Sequence, residues 1–175
     1  MHDVTPLLTD LYQINMIQAY LDHGDTDTAV FELFVRSLPA RRGFLLAAGL
    51  AQALDFLENL RFSGDEIAWL KGTGRFGNEL IGYLADFRFA GEVHAMPEGT
   101  AFFVNEPILR VTAPLPQAQL VESRLINILH FETLVASKAA RCVLAAPNKL
   151  LVDLDRKSTR LNSSHEIPSR MPSSA

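Results

Sequence analysis

The sequence predicts an α+β domain that leads into the beginning of an α/β unit. Residues 117–146 form a long run without glycine or proline that is dominated by good helix formers. Residues 89–111 instead break into short runs of strand-forming residues, separated by proline and glycine. A further apolar run of strand length, residues 148–154, follows the long helix, and this order is typical of a parallel α/β unit.

The overall composition limits the functions that the chain can have. With 175 residues and 48% apolar composition, it can bury a core of ordinary size, which predicts one domain, or one domain and part of another. The net charge of −4 provides no basic surface for nucleic acid or for an anionic membrane. We therefore expect neither nucleic acid nor a membrane as a partner.

The cysteine content and the N-terminal residues indicate a cytoplasmic protein. The single cysteine, Cys142, lies within the apolar run, where we expect a small buried thiol rather than a nucleophile. A lone cysteine cannot form an internal disulfide, which fits a reducing compartment. No basic segment followed by an apolar one begins the chain, and no apolar window is long enough to span a bilayer, so we expect no signal peptide or membrane helix.

The first predicted helix covers residues 11–23. Thr9 and Asp10 can each cap its N-terminus, and Gly24 supplies the stop. Tyr12 falls in the first turn, beside the free amides that make a helix N-terminus attractive to anions.

Residues 28–39 predict a strand with one packed face, closed by Arg36. A basic cluster of Arg36, Arg41 and Arg42 then runs into Gly43 and predicts a cationic loop between this strand and the next helix. Two interpretations stay open. The cluster is either solvated loop charge or a site for phosphate or pyrophosphate, whose oxygens suit guanidinium groups.

Three helices are predicted next. They cover residues 44–61, residues 63–71 with Ser63 or Asp65 as cap, and residues 78–87 with Asn78 as cap. Between the last two, residues 72–77 spell the glycine pattern G-x-G-x-x-G. A dinucleotide site requires a strand directly before that pattern, and the preceding residues are helical in character. We therefore interpret these glycines as a flexible connection between helices.

The remaining elements are three short strands and the long helix. The strands cover residues 91–96, 100–104 and 108–113, and they predict a small antiparallel layer. Pro114 and Pro116 lie where the long helix begins, since a first-turn proline gives up an amide that has no partner. The helix is apolar nearly all round, which predicts that it is buried and that its polar side chains pair, reach a boundary or face a site.

The familiar catalytic motifs are missing. The sequence contains no HExxH, paired CxxC, GxxxxGK[ST] or GxSxG motif, so zinc-hydrolase, P-loop and α/β-hydrolase functions have no support. We interpret His94 and His130 as structural groups in a strand and in the core helix. No residue is predicted to bind a metal.

Five segments, in order and with matching spacing, resemble nicotinate phosphoribosyltransferases and cover nearly all of residues 5–154. They are LLTDLYQINM, FELFVRSLP, FLLAAGL, PEGTAFFVNEPILRV and AQLVESRLINILHFETLVASKAAR. The combined match is far more specific than any single motif in it.

The resemblance implies a type II phosphoribosyltransferase, in which an N-terminal α/β sandwich domain precedes an irregular α/β barrel and which acts as a homodimer with shared sites. Such an enzyme joins nicotinate to 5-phosphoribosyl pyrophosphate, giving nicotinate mononucleotide and pyrophosphate in NAD salvage. ATP is hydrolysed as a co-substrate, and Mg²⁺ would accompany the pyrophosphate substrate. We accordingly expect residues 1–114 to form the sandwich domain and residues 115–154 to form the long helix and first barrel strand.

The resemblance also implies roles for individual residues. Tyr12 occupies the place of a tyrosine that stacks on the pyridine ring from the neighbouring subunit, and Asp10 lies beside it, near the ribose. Arg36 matches an arginine near the phosphates. Lys138 and Arg141 match family positions without an assigned role.

The chain also departs from the family. After residue 154 the family continues with a glycine and an Arg-Arg pair that helps to hold the nicotinate carboxylate, whereas this chain has Asp155 and Arg156, so Arg156 is not assigned that role. The histidine that ATP phosphorylates and most of the barrel lie beyond this chain. Residues 155–175 are rich in Ser, Arg and Pro, which predicts disorder, and their abrupt start indicates a non-native tail resembling translated sequencing adapter.

We therefore expect an N-terminal fragment that contains no catalytic residue and is inactive by itself. Two alternatives stay open. One is a catalytically inactive truncated homologue that serves as a dimerisation partner for a complete enzyme, and the other is a relative specific for nicotinamide.

Overall fold

The structure, a computed structural model, describes residues 5–152. These residues form five helices and five strands, which confirms the predicted α+β class. In chain order the elements are α1 (Leu11–His23), β1 (Thr28–Leu33), β2 (Leu45–Leu46), α2 (Leu50–Asn59), α3 (Gly64–Gly72), α4 (Asn78–Ala85), β3 (Glu92–Ala95), β4 (Ala101–Phe102), β5 (Leu109–Pro114) and α5 (Leu115–Ala145). The predicted tail, residues 155–175, lies outside the described residues, and the domain boundary at residue 114 stays a prediction.

The strands form two small antiparallel sheets. Antiparallel pairing was predicted, but the single layer predicted for residues 91–96, 100–104 and 108–113 is wrong, because β4 pairs with β2 rather than with β3 or β5. The larger sheet has the order β1-β5-β3, and the smaller pairs β2 with β4. β1 ends at Leu33, before Arg36, the residue predicted to close the strand, because β5 begins at Leu109, directly opposite Leu33. Without a partner strand, residues 34–39 continue as an irregular loop.

Helix α5 forms the frame of the core. It contacts α1, α2, β1, β2 and β5, and it buries Leu120, Leu125 and Leu129 among other apolar side chains. The predicted long helix is therefore confirmed, but the prediction that it is buried all round is wrong for its C-terminal part. Leu144 is 67% exposed, and Cys142 is exposed rather than buried, because the other described elements pack only against the earlier turns.

The helix predicted for residues 44–61 begins only at Leu50. Gly49 precedes it with a φ of 96°, a left-handed conformation that favours glycine. A Cβ on Gly49 would also lie 3.0 Å from the Cβ of Glu132 on α5. The Glu98 carboxylate accepts hydrogen bonds from the amides of Gly49 and Ala51, at 3.0 and 3.2 Å, and so caps the helix. Residues 45 and 46 are consequently free to pair as β2.

The other helix boundaries agree closely with the sequence. Gly24 ends α1 in a left-handed conformation, and Ser63 caps α3. Gly77 rather than Asn78 occupies the N-cap of α4. The glycine pattern begins at Gly72, the last residue of α3, and leads directly into α4, which confirms a connection between helices.

The strand predicted for residues 148–154 is not present in the part that the structure describes. Residues 147–152 form a turn and irregular backbone, and Leu150 is 91% exposed. No described strand lies beside this segment, so its backbone N–H and C=O groups have no strand with which to form hydrogen bonds. Residues 153 and 154 lie outside the described range.

The cap of α3 contains a titrating group. Ser63 and Glu66 form a capping box, in which the Ser63 amide donates to the Glu66 carboxylate at 2.7 Å, and Thr5 also donates to that carboxylate. Burial alone would raise the pKa of Glu66. The hydrogen bonds from Thr5 and Ser63 outweigh it, so the pKa lies below its ordinary value of 4.5.

We predict that Glu66→Gln destabilises the protein at pH 7 but not in acid. A lowered pKa means that the ionised carboxylate stabilises the folded state above its unfolded pKa, and that this stabilisation is lost as the pH falls through the folded pKa. Because solvent screens this cap, the difference at pH 7 is about 0.5 kcal/mol or less. Urea unfolding between pH 3 and 7 measures it, with Glu58→Gln as control. A difference that stays constant with pH would contradict the prediction.

Candidate functional site

The N-terminus of α1 lies against the N-terminal part of α5. Ile14 and Ile17 on α1 are buried in the core. Asp10 occupies the N-cap position of α1, as predicted, but its carboxylate makes no hydrogen bond to the helix amides. It accepts a hydrogen bond from the Ser123 hydroxyl on α5 instead, at 3.0 Å. Asp10 thus attaches the start of α1 to α5.

A second polar attachment lies inside the same interface. The Gln13 side chain is fully buried, and its Nε2 donates to Glu122 Oε2 at 3.4 Å. The same Glu122 oxygen accepts from Gln119 Nε2 at 2.9 Å. We call Gln13, Gln119 and Glu122 the amide–carboxylate ladder. Thr9 donates to Gln13 at one end, and Tyr20 donates to Gln119 at 3.3 Å at the other. Leaving one buried donor unpaired costs about 1–3 kcal/mol, so the ladder favours one register of α1 on α5.

An open cleft of about 670 Å³ lies over this interface. Asp10 and Tyr12 both line it, so the structure brings these two predicted residues together. Tyr12 is 50% exposed. The other lining residues are Leu7, Leu8, Thr9, Glu122, Ser123, Ile126, Asn127 and His130. We call this the Tyr12 cleft.

A second cleft of about 460 Å³ adjoins the first and is mostly apolar. It lies between α5 and the loop after β1, and it shares Ile126 and His130 with the Tyr12 cleft. Arg42 of the cationic loop lines this second cleft. Arg36 is exposed on the same loop and lines neither cleft.

Lys138 and Arg141 lie further along α5 than the Tyr12 cleft, and neither lines it. At 1.5 Å per residue, Arg141 is about 27 Å along the axis of α5 from Ser123. Lys138 is exposed. Arg141 is half-buried, and its Nη1 is buried without a hydrogen-bond partner among the described residues. The structure therefore does not bring these two cations to the aromatic ring.

Two buried hydroxyls on α5 hold the strand that follows the cationic loop. The Leu46 amide donates to Ser137 Oγ at 2.8 Å, and the Ala48 amide donates to Thr133 Oγ1 at 3.4 Å. Both residues are buried. They supply hydrogen-bond partners for the backbone amides of Leu46 and Ala48.

The described residues contain no cluster of three His, Cys, Asp or Glu side chains that could hold a metal ion. Within residues 5–152, no helix has both the length and the apolar character that a membrane span needs.

Residues 7–130 match the family model of the nicotinate phosphoribosyltransferase N-terminal domain, which covers well over half of the chain. The chain belongs to the nicotinate phosphoribosyltransferase family. The resemblance seen in the five sequence segments is thereby confirmed.

Relatives from bacteria and from human agree with the family model. A nicotinate phosphoribosyltransferase of Mycobacterium tuberculosis is 47% identical over 150 residues, which are 86% of this chain and 32% of the relative. The Bacillus subtilis nicotinate phosphoribosyltransferase is 44% identical over 140 residues, covering 79% of this chain and 29% of the relative. The crystal structure of human nicotinic acid phosphoribosyltransferase superposes with a TM-score of 0.78 at 35% identity, over 87% of this chain and 32% of that chain. The chain thus spans about a third of the relatives that it matches.

The sequence interpretation missed two features of the site. His130, which we interpreted as a structural group of a buried helix, is exposed and lines both clefts. Its position was indicated by the spacing of Ser123, Asn127 and His130, which places all three on one face of a helix. The pairing of Gln13 with Glu122 had no comparable local signal, since the two residues are far apart in the chain.

We predict that Ser137→Ala lowers the free energy of unfolding by about 1–3 kcal/mol, because it leaves the Leu46 amide without its partner. Urea denaturation measures the change. Ser37→Ala, at an exposed serine of the loop before β2, is the matched control and should change stability by less than about 0.5 kcal/mol. Equal effects of the two substitutions would contradict a role for Ser137 in holding β2.

Proposed function

We propose that the protein acts as a nicotinate phosphoribosyltransferase in NAD salvage. It would join nicotinate to 5-phosphoribosyl pyrophosphate and release nicotinate mononucleotide and pyrophosphate. The observation that carries the proposal is the match of residues 7–130 to the family domain, within which the Tyr12 cleft lies. The names of the Mycobacterium tuberculosis and Bacillus subtilis relatives support the choice of nicotinate.

Tyr12 is the residue proposed to contact the pyridine ring. Its ring is half exposed at the edge of an open cleft, so a flat aromatic substrate can reach one face of it. Stacking of two aromatic rings contributes about 1 kcal/mol. In a homodimer this ring would complete the site of the neighbouring subunit.

Asp10 and Arg36 are proposed to bind the sugar and the phosphates. The Asp10 carboxylate can accept hydrogen bonds from ribose hydroxyls, and the Ser123 hydroxyl fixes its orientation. Arg36 is exposed, and its guanidinium suits a phosphate. Lys138 and Arg141 remain candidate substrate-binding cations without an assigned role.

The departing pyrophosphate needs charge stabilisation, which we propose comes from parts of the protein outside residues 5–152 together with Mg²⁺ bound to the substrate. ATP hydrolysis, phosphorylation of a histidine and a cytoplasmic location belong to the same proposal. None of the residues proposed to bind substrate is proposed to be catalytic, so we expect the 175-residue chain to be inactive by itself. Nothing in the comparisons favours a docking homologue without catalysis or a nicotinamide-specific enzyme.

The proposal is tested with a complete enzyme in which residues 7–130 replace the matching segment of the Bacillus subtilis relative. We expect nicotinate mononucleotide to form from nicotinate and 5-phosphoribosyl pyrophosphate, with nicotinamide a poor substrate. A folded chimera that makes no product, or that prefers nicotinamide, would contradict the proposal.

In that chimera, we predict that Tyr12→Ala raises the KM for nicotinate about fivefold, which corresponds to the loss of about 1 kcal/mol of stacking. The KM for 5-phosphoribosyl pyrophosphate should stay unchanged. Phe103→Ala is the matched control, because Phe103 is 53% exposed and lines neither cleft. A KM for nicotinate that rises equally in both variants would show that Tyr12 does not contact the ring.

A further inference from the structure

The position of the Tyr12 ring is determined by the placement of α1 and not by enclosure of the ring. Half of the residue is exposed, and the cleft beside it is open. The direction in which its side chain leaves the helix therefore depends on how α1 is rotated and shifted along α5. Successive residues of a helix are separated by about 100° around its axis and 1.5 Å along it. A slip of one residue would turn the ring away from the cleft.

The apolar contacts of α1 cannot fix this register by themselves. Ile14 and Ile17 hold α1 against the core, but apolar contact is non-directional. Hydrogen bonds depend on distance and angle, so they discriminate between neighbouring registers. Gln13 is the buried polar side chain of α1, and it follows Tyr12 directly in the chain.

Two adjacent residues of α5 hold α1 on both sides of Tyr12. Ser123 donates to Asp10, two residues before the ring, and Glu122 accepts from Gln13, one residue after it. Gln119 donates to the same Glu122 oxygen and so fixes the carboxylate that receives Gln13. The side chains of Asp10 and Gln13, on either side of Tyr12, thus attach this segment of α1 to α5 at two points.

We propose that Gln13 and Glu122 are positioning residues that set the Tyr12 ring over the cleft, an inference that rests on the proposed contact between Tyr12 and nicotinate. Their effect on the substrate passes through Tyr12. An effect on the register of α1 along α5 can be distinguished from an effect on stability. An apolar replacement of similar size can keep α1 packed against α5 while it removes the directional hydrogen bond.

Glu122→Leu removes the acceptor, whereas Glu122→Gln keeps an oxygen of the same reach that can accept from Gln13 and Gln119. In the chimera we expect Glu122→Leu to raise the KM for nicotinate about fivefold, as Tyr12→Ala does, with little change in the KM for 5-phosphoribosyl pyrophosphate. Glu122→Gln should restore the KM for nicotinate to within about twofold. Glu58→Leu, at an exposed glutamate of α2, is the matched control and should have no effect on either KM.

A double-mutant cycle with Tyr12→Ala decides whether the effect passes through the ring. We expect Glu122→Leu to add less than about twofold to the KM for nicotinate when Tyr12 is already alanine. A full fivefold addition would show that Glu122 acts independently of the ring and would overturn the proposal. Failure of Glu122→Gln to restore the KM would overturn it as well. If Glu122→Leu does not fold, Gln13→Met carries the same test from the α1 side.

The position of the ring can also be measured without activity, in the 175-residue chain labelled with ¹³C-tyrosine. We expect Glu122→Leu to shift the Tyr12 ring signals, Glu122→Gln to leave them nearly in place, and Tyr83, on α4, to be unaffected by either substitution. Unchanged Tyr12 signals in Glu122→Leu would overturn the positioning role. An inactive chimera combined with the expected shifts would instead contradict the proposed function alone.

Discussion

The candidate site depends on the contact between α1 and the N-terminal part of α5. Burial of Ile14 and Ile17 supplies the apolar part of this contact. The hydrogen bonds of Asp10, Gln13 and Glu122 determine the register in which α1 lies along α5. The two contributions differ in kind, since burial favours association in any register and the polar contacts favour one register. The shape of the Tyr12 cleft and the exposure of the Tyr12 ring depend on this register.

The long helix α5 serves two purposes along its length. Its first half fills the core and carries the partners of α1, whereas Thr133 and Ser137, one and two turns later, hold β2 and the residues that follow it. Beyond these residues the helix extends past the described core and exposes Val143 and Leu144. An exposed apolar stretch of this kind is typical of an interaction surface. The frame of the site is therefore continuous with a surface that remains uncovered in the described residues.

Local signals in the sequence were sufficient for the elements that depend on local interactions. The periodicity of α5, the glycine after α1 and the cap of α3 at Ser63, one of its two predicted caps, are each decided within a few residues, and the structure confirms all three. The errors arose where a distant partner decides. β2 replaces the start of a predicted helix because Leu45 pairs with Phe102, and β1 ends where β5 begins. The exposure of Cys142 follows in the same way from the absence of a described partner for the end of α5.

In the candidate site too, the sequence was sufficient for residues that are close together in the chain and insufficient for pairs that are far apart. Asp10 and Tyr12 belong to one short segment at the start of α1, so one helix N-terminus places both in one cleft. Arg36 lies on an irregular loop whose path no local pattern determines, and it does not join them. The pairing of Gln13 with Glu122 spans 109 residues of sequence, and only the packed structure reveals it.

A crystal structure of the complete enzyme with nicotinate bound tests the central claim most directly. We expect the pyridine ring to lie against the Tyr12 ring, with the two ring centroids about 4.5–7 Å apart, while Gln13 remains hydrogen-bonded to Glu122. A pyridine ring bound elsewhere, with the Tyr12 ring turned away from it, would contradict the account.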